Sequence, residues 1–315
     1  MQKPISLIEF ILEEERRFSK ARGNLTLLLT QIEYAAKIIA SHIKKAGLAD
    51  ILAKTGETNA SQDEVIKLDK YSNELLIEIL SSSGQVHAIA SEELEDIHTV
   101  EKHDGQYVVF LDPLDGSSNT EINVTIGTIF SIYHKDKTML QAGRQQVAAG
   151  YILYGTSVMF VYSSGSGVNG FTLDPSIGTF LLSHPDMKIP QAGNIYSINE
   201  GNFNLWDKKL KTYIQSLKEN KPYKSRYIGS MVADVHRTLL KGGIFLYPQD
   251  KKNPEGKLRL LFEVNPLSFI VQQAGGFATS DGINPLDITP IQLHQRVPIA
   301  MGSKENIKEY LRFIQ

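Results

Sequence analysis

The sequence predicts a mixed α/β fold in which helices pack on sheets. Apolar residues keep helical spacing in much of the first 80 residues, whereas runs rich in β-branched and aromatic residues begin at about residue 86. After about residue 190, strand-like and helix-like segments alternate. The 315 residues, 42% of them apolar, are enough for about two domains of ordinary size.

Two amphipathic helices are predicted in the N-terminal region. The first covers residues 25–43, with Gly47 as its stop, and the second covers residues 65–79. The polar stretch between them, about residues 50–65, is predicted to be a mobile loop.

Strands are predicted from the middle of the chain onward. The first group is at 86–90, 107–111, 124–133, 151–162 (divided at Gly155) and, as a hairpin, 171–182. The second group is at 195–198, 244–247, 258–264 and 297–301, with helices at 205–217, 232–240, from about 266 and after 303. A cluster of proline and glycine at 185–193 divides the chain into an N-terminal domain (1–190) and a C-terminal domain (191–315).

The composition excludes several classes of protein. A net charge of −2 gives no reason to expect a nucleic-acid or membrane partner, and no apolar run approaches the roughly 18 residues of a membrane span. The N-terminus does not resemble a signal peptide. The absence of cysteine excludes disulfides, thiolate metal sites and a cysteine nucleophile. A cytoplasmic protein is expected.

The most informative motif lies between residues 107 and 119. An apolar strand runs into Asp112 and Asp115, with Pro113 between them. Because proline fixes φ and lacks an N–H, the chain is expected to turn there and to aim both carboxylates and the Leu114 carbonyl at one point. Such oxygen ligands suit Mg²⁺ or Mn²⁺. The alternative is a capped turn, since Asp-Pro and Asp-Gly are ordinary turn dipeptides.

Three small residues follow this aspartate pair. Gly116 allows a ligand to approach the backbone closely, and Ser117 and Ser118 add hydroxyl and N–H groups. If a helix begins there, these groups form an anion site. The whole motif therefore predicts a metal site beside a phosphate site.

Further acidic residues lie before this motif. Glu92 and Glu93 follow a predicted strand directly, where open α/β sheets place their ligands, although paired glutamates in a loop are often only a solvated surface. Asp69 lies at the edge of the apolar stripe of the second helix, so either the stripe is open there or Asp69 faces a cation-lined site. Asp63 begins the same helix and is equally explained as its N-cap.

The last acidic feature is the predicted strand at 257–263. With a period of two, Lys257, Arg259 and Glu263 share one face, where two cations and an acid suit a phosphate and a metal. The alternative is a surface strand with ordinary cross-strand ion pairs.

Seven ordered blocks connect these features: residues 91–93, 112–119, 127–130, 196–201, 226–237, 242–248 and 256–263. Together they resemble class I fructose-1,6-bisphosphatases over nearly the whole chain. The resemblance implies a layered α/β/α/β sandwich of the sugar-phosphatase type that assembles as a homotetramer. It also implies Mg²⁺-dependent hydrolysis, with Mn²⁺ as the other suitable ion, of the 1-phosphate of fructose 1,6-bisphosphate in gluconeogenesis.

The resemblance also assigns roles to residues, motif by motif. Metal binding falls to Glu92, Asp112, Asp115, Glu263 and the Leu114 carbonyl. Activation of the attacking water falls to Glu93 and Asp69, with Asp63 helping when the mobile loop closes. The scissile phosphate would be held by Asp115, Gly116, Ser117 and Ser118. The sugar and its 6-phosphate would be held by Asn199, Tyr227, Tyr247 and Lys257, with Arg226 reaching in from a neighbouring subunit.

The sequence departs from the family at the residues that bind the inhibitor AMP. AMP-inhibited members carry Thr-Gly-Glu where this chain has Arg22-Gly23-Asn24. Gln106 replaces a lysine and His134 replaces an arginine, so two cationic partners of the phosphate are missing. We therefore expect weak or absent inhibition by AMP.

Two alternatives to this function remain open. The chain could hydrolyse sedoheptulose 1,7-bisphosphate, alone or as a second substrate, because the reacting end is identical. It could instead be a non-catalytic regulatory protein on the same fold, whose signature would be a broken metal set. All six acids of the predicted metal and water site are present at the expected positions, which argues against that second alternative.

Overall fold

The computed structural model describes residues 3–17, 22–45, 54–58, 64–136, 138–219 and 223–314. Its helices are α1 (Leu7–Glu15), α2 (Asn24–Ile43), α3 (Lys67–Ser82), α4 (Lys208–Glu219), α5 (Met231–Lys241), α6 (Asn265–Gln273) and α7 (Lys304–Ile314). None of the helices in these ranges is long and apolar enough to cross a membrane.

The strands fall into an N-terminal and a C-terminal group. The N-terminal group is β1 (Lys54–Thr58), β2 (Glu64–Ile66), β3 (Val86–Ser91), β4 (His98–Thr99), β5 (Tyr107–Asp115), β6 (Ile126–His134), β7 (Gln146–Tyr154), β8 (Val158–Ser163), β9 (Asn169–Asp174) and β10 (Thr179–His184). The C-terminal group is β11 (Ile195–Ser197), β12 (Lys224–Ser225), β13 (Ile244–Tyr247), β14 (Leu258–Arg259), β15 (Phe277–Thr279), β16 (Arg296–Val297) and β17 (Ile299–Gly302).

Helices α1, α2 and α3 cover one face of an eight-stranded sheet, whose strand order is β10-β9-β8-β7-β6-β5-β3-β4. Helix α2 buries Leu28, Leu29, Ile32 and Ile39 against this face, at the spacing that the sequence predicts. Strands β3 and β5 run parallel. Their carboxyl ends therefore lie side by side, which is where sheets of this kind place their ligands.

Helices α5 and α6 fill the space between this sheet and a five-stranded sheet of order β12-β11-β13-β17-β15. Val232 and Ile270 from the helices pack with Ile129 of the first sheet and Met301 of the second. Helices α4 and α7 pack on the far face of the second sheet. The predicted α/β/α/β layer order is confirmed, and α4 and α7 add a fifth, outer layer.

The prediction of a strand over 258–264 is wrong beyond Arg259. Strand β14 ends there, and the chain continues as a π-helical turn, Leu260–Val264, that leads directly into α6. All five residues of the turn are buried. A fully buried segment shows no alternation of apolar and polar residues, so its sequence does not distinguish a strand from a helical turn. The second predicted helix begins at Lys67, later than its pattern, because Val65 belongs to β2.

Strand β5 does not turn at Pro113, contrary to the prediction. It continues to Asp115, and its pairing with β6 shifts register between Asp112 and Asp115. The irregular pairing accommodates a residue without an N–H, and the Thr128 hydroxyl donates to the Pro113 carbonyl oxygen over 2.8 Å. The sequence predicts a turn that brings the two carboxylates together. The bulge has the same effect, because it leaves both carboxylates at the end of the strand.

Part of the predicted mobile loop lies outside the described residues, as do Gly47 and Asp63. Its described parts, β1 and β2, pair as antiparallel strands.

Candidate active site

The carboxyl ends of β3 and β5 open into a cleft of about 660 Å³, which we name the acidic cleft. Most of the predicted site residues line it, although they come from distant parts of the chain. They are Asp69, Glu92, Glu93, Asp112, Leu114, Asp115, Gly116, Ser117, Ser118, Asn199, Tyr227, Tyr247, Lys257 and Glu263.

Three carboxylates form the centre of the cleft. Asp112, Asp115 and Glu263 are buried, and each has an oxygen within 4.8 Å of an oxygen of the other two. The Leu114 N–H donates to Asp112 Oδ1 over 3.1 Å, whereas Asp112 Oδ2 finds no N–H or hydroxyl donor among the described residues. Buried acids this close together repel one another unless a cation lies between them. The donor set, all oxygen, fits Mg²⁺ or Mn²⁺.

Asp115 is held in place by the N-terminus of α5. Its carboxylate accepts the Ser230 hydroxyl at 2.6 Å, the Val232 N–H at 2.9 Å and the Met231 N–H at 3.3 Å. The neighbouring Gly116 has φ +77, and a Cβ there would lie 2.5 Å from the Ser230 Cβ. Glycine is therefore required for the close approach of β5 to α5.

Arg259 is a buried cation beside the carboxylates. Its Nη1 lies 2.7 Å from Glu92 Oε1 and 3.6 Å from Glu263 Oε2, and its backbone N–H donates to Glu263 Oε2 over 2.6 Å. Arg259 and Glu263 meet because the π-helical turn places residues four apart together, not because a strand aligns them with Lys257. Neither the predicted shared strand face nor the surface-strand alternative is correct, since Arg259 and Glu263 are buried.

Burial raises the pKa of the four carboxyls predicted to bind metal, which are Glu92, Asp112, Asp115 and Glu263. Repulsion from neighbouring acids raises these pKa values further, whereas Arg259 opposes the rise at Glu92 and Glu263. The Arg259 guanidinium does not balance four carboxylates. A positively charged ligand in the cleft would therefore stabilise these carboxylates.

The remaining predicted residues are placed as follows. Asp69 lies in the first turn of α3 and is buried, and Glu93 is half-buried next to Glu92. Arg226 is exposed and does not line the cleft of its own chain, so its contact with a neighbouring subunit stays a prediction. Asp63 is outside the described residues.

The cleft also includes residues that received no role from the sequence, notably Asp234 of α5. Asp234 and Ser230 belong to the block at 226–237 that carries the family resemblance, and this was the only signal that could have drawn attention to them. Their contacts depend on the docking of α5, which no local pattern reveals.

A second cleft, of about 310 Å³, lies at the N-terminus of α2, and we name it the helix cleft. It brings together the residues at which the sequence departs from AMP-inhibited enzymes, namely Arg22, Gly23, Asn24, Gln106 and His134. The Asn24 side chain donates to Gln106 Oε1 over 3.0 Å. The carboxylate of Glu15 accepts the Gly23 N–H and the Thr26 hydroxyl, so an acid of the chain itself occupies the start of α2.

The layered sandwich and the buried carboxylate cluster in its cleft are the features expected of a sugar phosphatase that uses a metal ion. The family model described as "Fructose-1-6-bisphosphatase, N-terminal domain" matches residues 5–185, and "Fructose-1-6-bisphosphatase, C-terminal domain" matches residues 189–315. The chain belongs to the class 1 fructose-1,6-bisphosphatase family. The family predicted from the sequence is thereby confirmed.

Curated relatives named fructose-1,6-bisphosphatase class 1 match over nearly their whole length. One from Persephonella marina is 55% identical and covers 99% of both chains. One from Cytophaga hutchinsonii is 51% identical over 98% of this chain and 94% of the relative. Crystal structures of Leishmania major fructose-1,6-bisphosphatase cover 99% of both chains, with a TM-score of 0.94 at 42% identity for the holo form and 0.91 at 41% for the T-state. The predicted fold class is confirmed.

Proposed function

We propose that this chain hydrolyses the 1-phosphate of fructose 1,6-bisphosphate, giving fructose 6-phosphate and inorganic phosphate in gluconeogenesis. The observation that carries this proposal is the buried cluster of Asp112, Asp115 and Glu263, which shares one cleft with a serine pair, two tyrosines and a lysine. The name carried by relatives at 51–55% identity supports the same reaction.

The metal proposed for this cleft is Mg²⁺, with Mn²⁺ as the other ion that suits the donors. Asp112, Asp115 and Glu263 would hold it, joined by Glu92 and the Leu114 carbonyl. When bound, the ion supplies charge that neutralises the phosphate and lowers the pKa of a bound water. The donor-free Asp112 Oδ2 supports this assignment, since a buried oxygen without a donor requires a partner.

The other acids of the cleft would handle the proton of the attacking water. Glu93 and Asp69 both line the cleft, and each would orient water and accept its proton as the oxygen attacks phosphorus. Asp63 is proposed to assist them. The Gly116, Ser117 and Ser118 segment would donate N–H and hydroxyl groups to the phosphate oxygens, where the transition state concentrates negative charge.

The polar and aromatic residues of the cleft would bind the rest of the substrate. Lys257 is exposed and cationic, which suits the 6-phosphate, and Tyr227, Tyr247 and Asn199 offer groups that hydrogen-bond to a sugar. Arg226 is proposed to reach the 6-phosphate in a neighbouring subunit. Fixing both ends of the substrate positions the reacting phosphate.

We also propose that the chain forms a homotetramer. Ile8, Leu12, Leu27 and Tyr34 are each 41–54% exposed on α1 and α2, which supports an apolar contact between copies.

The division at about residue 190 is proposed to separate the metal-binding domain from the sugar-binding one. A cytoplasmic location is proposed because the substrate carries two phosphates and cannot cross a membrane unaided.

The decisive experiment is a phosphate-release assay on a substrate panel, with Mg²⁺ or Mn²⁺. We expect release from fructose 1,6-bisphosphate that stops when EDTA removes the metal. Faster release from sedoheptulose 1,7-bisphosphate would favour the alternative substrate. No release from any sugar bisphosphate with either ion would contradict the proposal. Light scattering of the same sample tests the tetramer.

A further inference from the structure

The carboxylate of Asp234 is completely buried beneath residues 226–230, which we name the Tyr227 segment. This segment connects β12 to α5 and contributes Tyr227 and Gly229 to the acidic cleft. Its last residue, Ser230, donates to the proposed metal ligand Asp115. The segment therefore borders both the proposed sugar-binding part and the proposed metal-binding part of the cleft.

The Asp234 carboxylate accepts hydrogen bonds from backbone N–H groups of the Tyr227 segment. The Ile228 N–H lies 3.1 Å from both carboxylate oxygens, and the Gly229 N–H lies 3.1 Å from Oδ2. The Ser197 hydroxyl donates to Oδ1 over 2.8 Å, from a strand that ends two residues before Asn199. A buried carboxylate with this many donors is well compensated, and each donor is oriented by it.

Arg237 completes the arrangement. Its Nη2 lies 2.7 Å from Asp234 Oδ1 and also donates to the Arg226 carbonyl oxygen over 2.7 Å. The ion pair thus holds the segment at its first residue as well as at its centre. Because Asp234 and Arg237 lie one turn apart on α5, the rigid helix fixes the whole segment.

We propose that Asp234 is a positioning residue for substrate binding, which acts with Arg237 by fixing the Tyr227 segment so that Tyr227 faces the sugar phosphate. This inference rests on the proposed function, since it takes the acidic cleft as the site of the sugar bisphosphate. Asparagine cannot replace Asp234, because its amide group would face the donors that now meet an oxygen. It would also leave Arg237 without its counter-charge.

The test compares Asp234→Asn with wild type by steady-state kinetics on fructose 1,6-bisphosphate at saturating Mg²⁺. We expect KM to rise at least about tenfold, because charged hydrogen bonds that orient the segment are lost, while kcat changes less than about threefold. The matched control is Asp287→Asn, which also removes an Asp–Arg ion pair, with Arg144, but lies outside the cleft. The control should keep the wild-type KM.

A double mutant shows whether Asp234 acts by positioning Tyr227 or whether its substitution disturbs the protein more generally. In a Tyr227→Ala background, Asp234→Asn should raise KM less than about twofold, because the side chain that it positions is already gone. An undiminished tenfold effect in that background would contradict the inference, since Asp234 would then act on something else.

A milder variant covers the case in which Asp234→Asn does not fold. Ser197→Ala removes one donor and keeps the ion pair, and it should raise KM about threefold in the wild-type background but not in the Tyr227→Ala background. An unchanged KM in Ser197→Ala, or in a folded Asp234→Asn, overturns the inference. A wild-type protein that releases no phosphate contradicts the proposed function instead, so the two failures are distinguishable.

Discussion

In the acidic cleft, Asp112, Asp115 and Glu263 face one another with the Arg259 guanidinium nearby. In the helix cleft, Glu15 faces the first turn of α2 and takes its donors from Gly23 and Thr26. The carboxylates of the acidic cleft lie close enough to repel one another, although Asp115 also accepts donors from α5. The Glu15 carboxylate of the helix cleft instead meets an N–H and a hydroxyl. An acid that meets N–H and hydroxyl donors stabilises the fold by itself, whereas acids that meet other acids require a ligand.

The largest expected difference between the clefts is in catalysis. Asp112→Asn and Glu92→Gln should each lower phosphate release more than about a hundredfold while circular dichroism shows an intact fold, because a ligand of the proposed metal is lost. Glu15→Gln should keep the wild-type rate. A variant of Asp112 or Glu92 that kept more than about a tenth of the wild-type rate would remove that residue from the metal set.

The response to AMP tests whether the helix cleft has lost its phosphate site. We expect weak or no inhibition of wild type, and a clear increase in sensitivity when Gln106→Lys and His134→Arg are combined. Each restored cation would contribute on the order of 1.5–3 kcal/mol to phosphate binding. An AMP titration with wild type and the double mutant measures both.

Inhibition of wild type at low micromolar AMP would contradict this expectation. If the double mutant stays insensitive, the obstacle is the Arg22-Gly23-Asn24 turn or the Glu15 carboxylate beside it. Adding Glu15→Gln to the double mutant distinguishes these two possibilities.

Metal should stabilise the protein, and more so at higher pH. The raised pKa values of the acidic cleft mean that its carboxyls hold protons more tightly when folded than when unfolded, so the metal-free protein loses stability as pH rises through those values. Mg²⁺ must displace these protons. The increase in melting temperature with Mg²⁺ should therefore be larger at about pH 8 than at about pH 6. An equal increase at both values would contradict the proposed ligands.

The smallest expected effect is on the free energy of unfolding, which should change in opposite directions when an acid is removed from each cleft. Without metal, Asp112→Asn should raise the free energy of unfolding by about 1 kcal/mol because it relieves repulsion, whereas Glu15→Gln should lower it by about 1 kcal/mol because it removes a charge from the start of α2. Urea denaturation with EDTA measures both. Glu13→Gln, on the exposed side of α1, is the matched control and should change little. The same sign for both variants would remove the distinction between the clefts.

The sequence predicted most of the fold because long apolar patterns determine the helices and strands of the layers. It placed Asp112 and Asp115 together correctly, since two acids at one strand end cannot separate far. It also placed Glu263 in the cleft, but by predicting a strand where the structure has a π-helical turn. A buried apolar run is compatible with either structure. The contacts of Glu15 and Asp234 were not predictable, because each depends on how distant elements dock.

The attachment of Asp115 to α5 has a consequence for biosynthesis. Ser230 is 115 residues further along the chain than its partner Asp115, and Glu263 comes later still. A nascent chain that has exposed only its first sheet has the aspartates but not the groups that fix them. The proposed hydrolytic centre would therefore be completed only after most of the polypeptide has emerged from the ribosome, and a product truncated before Ser230 would be inert.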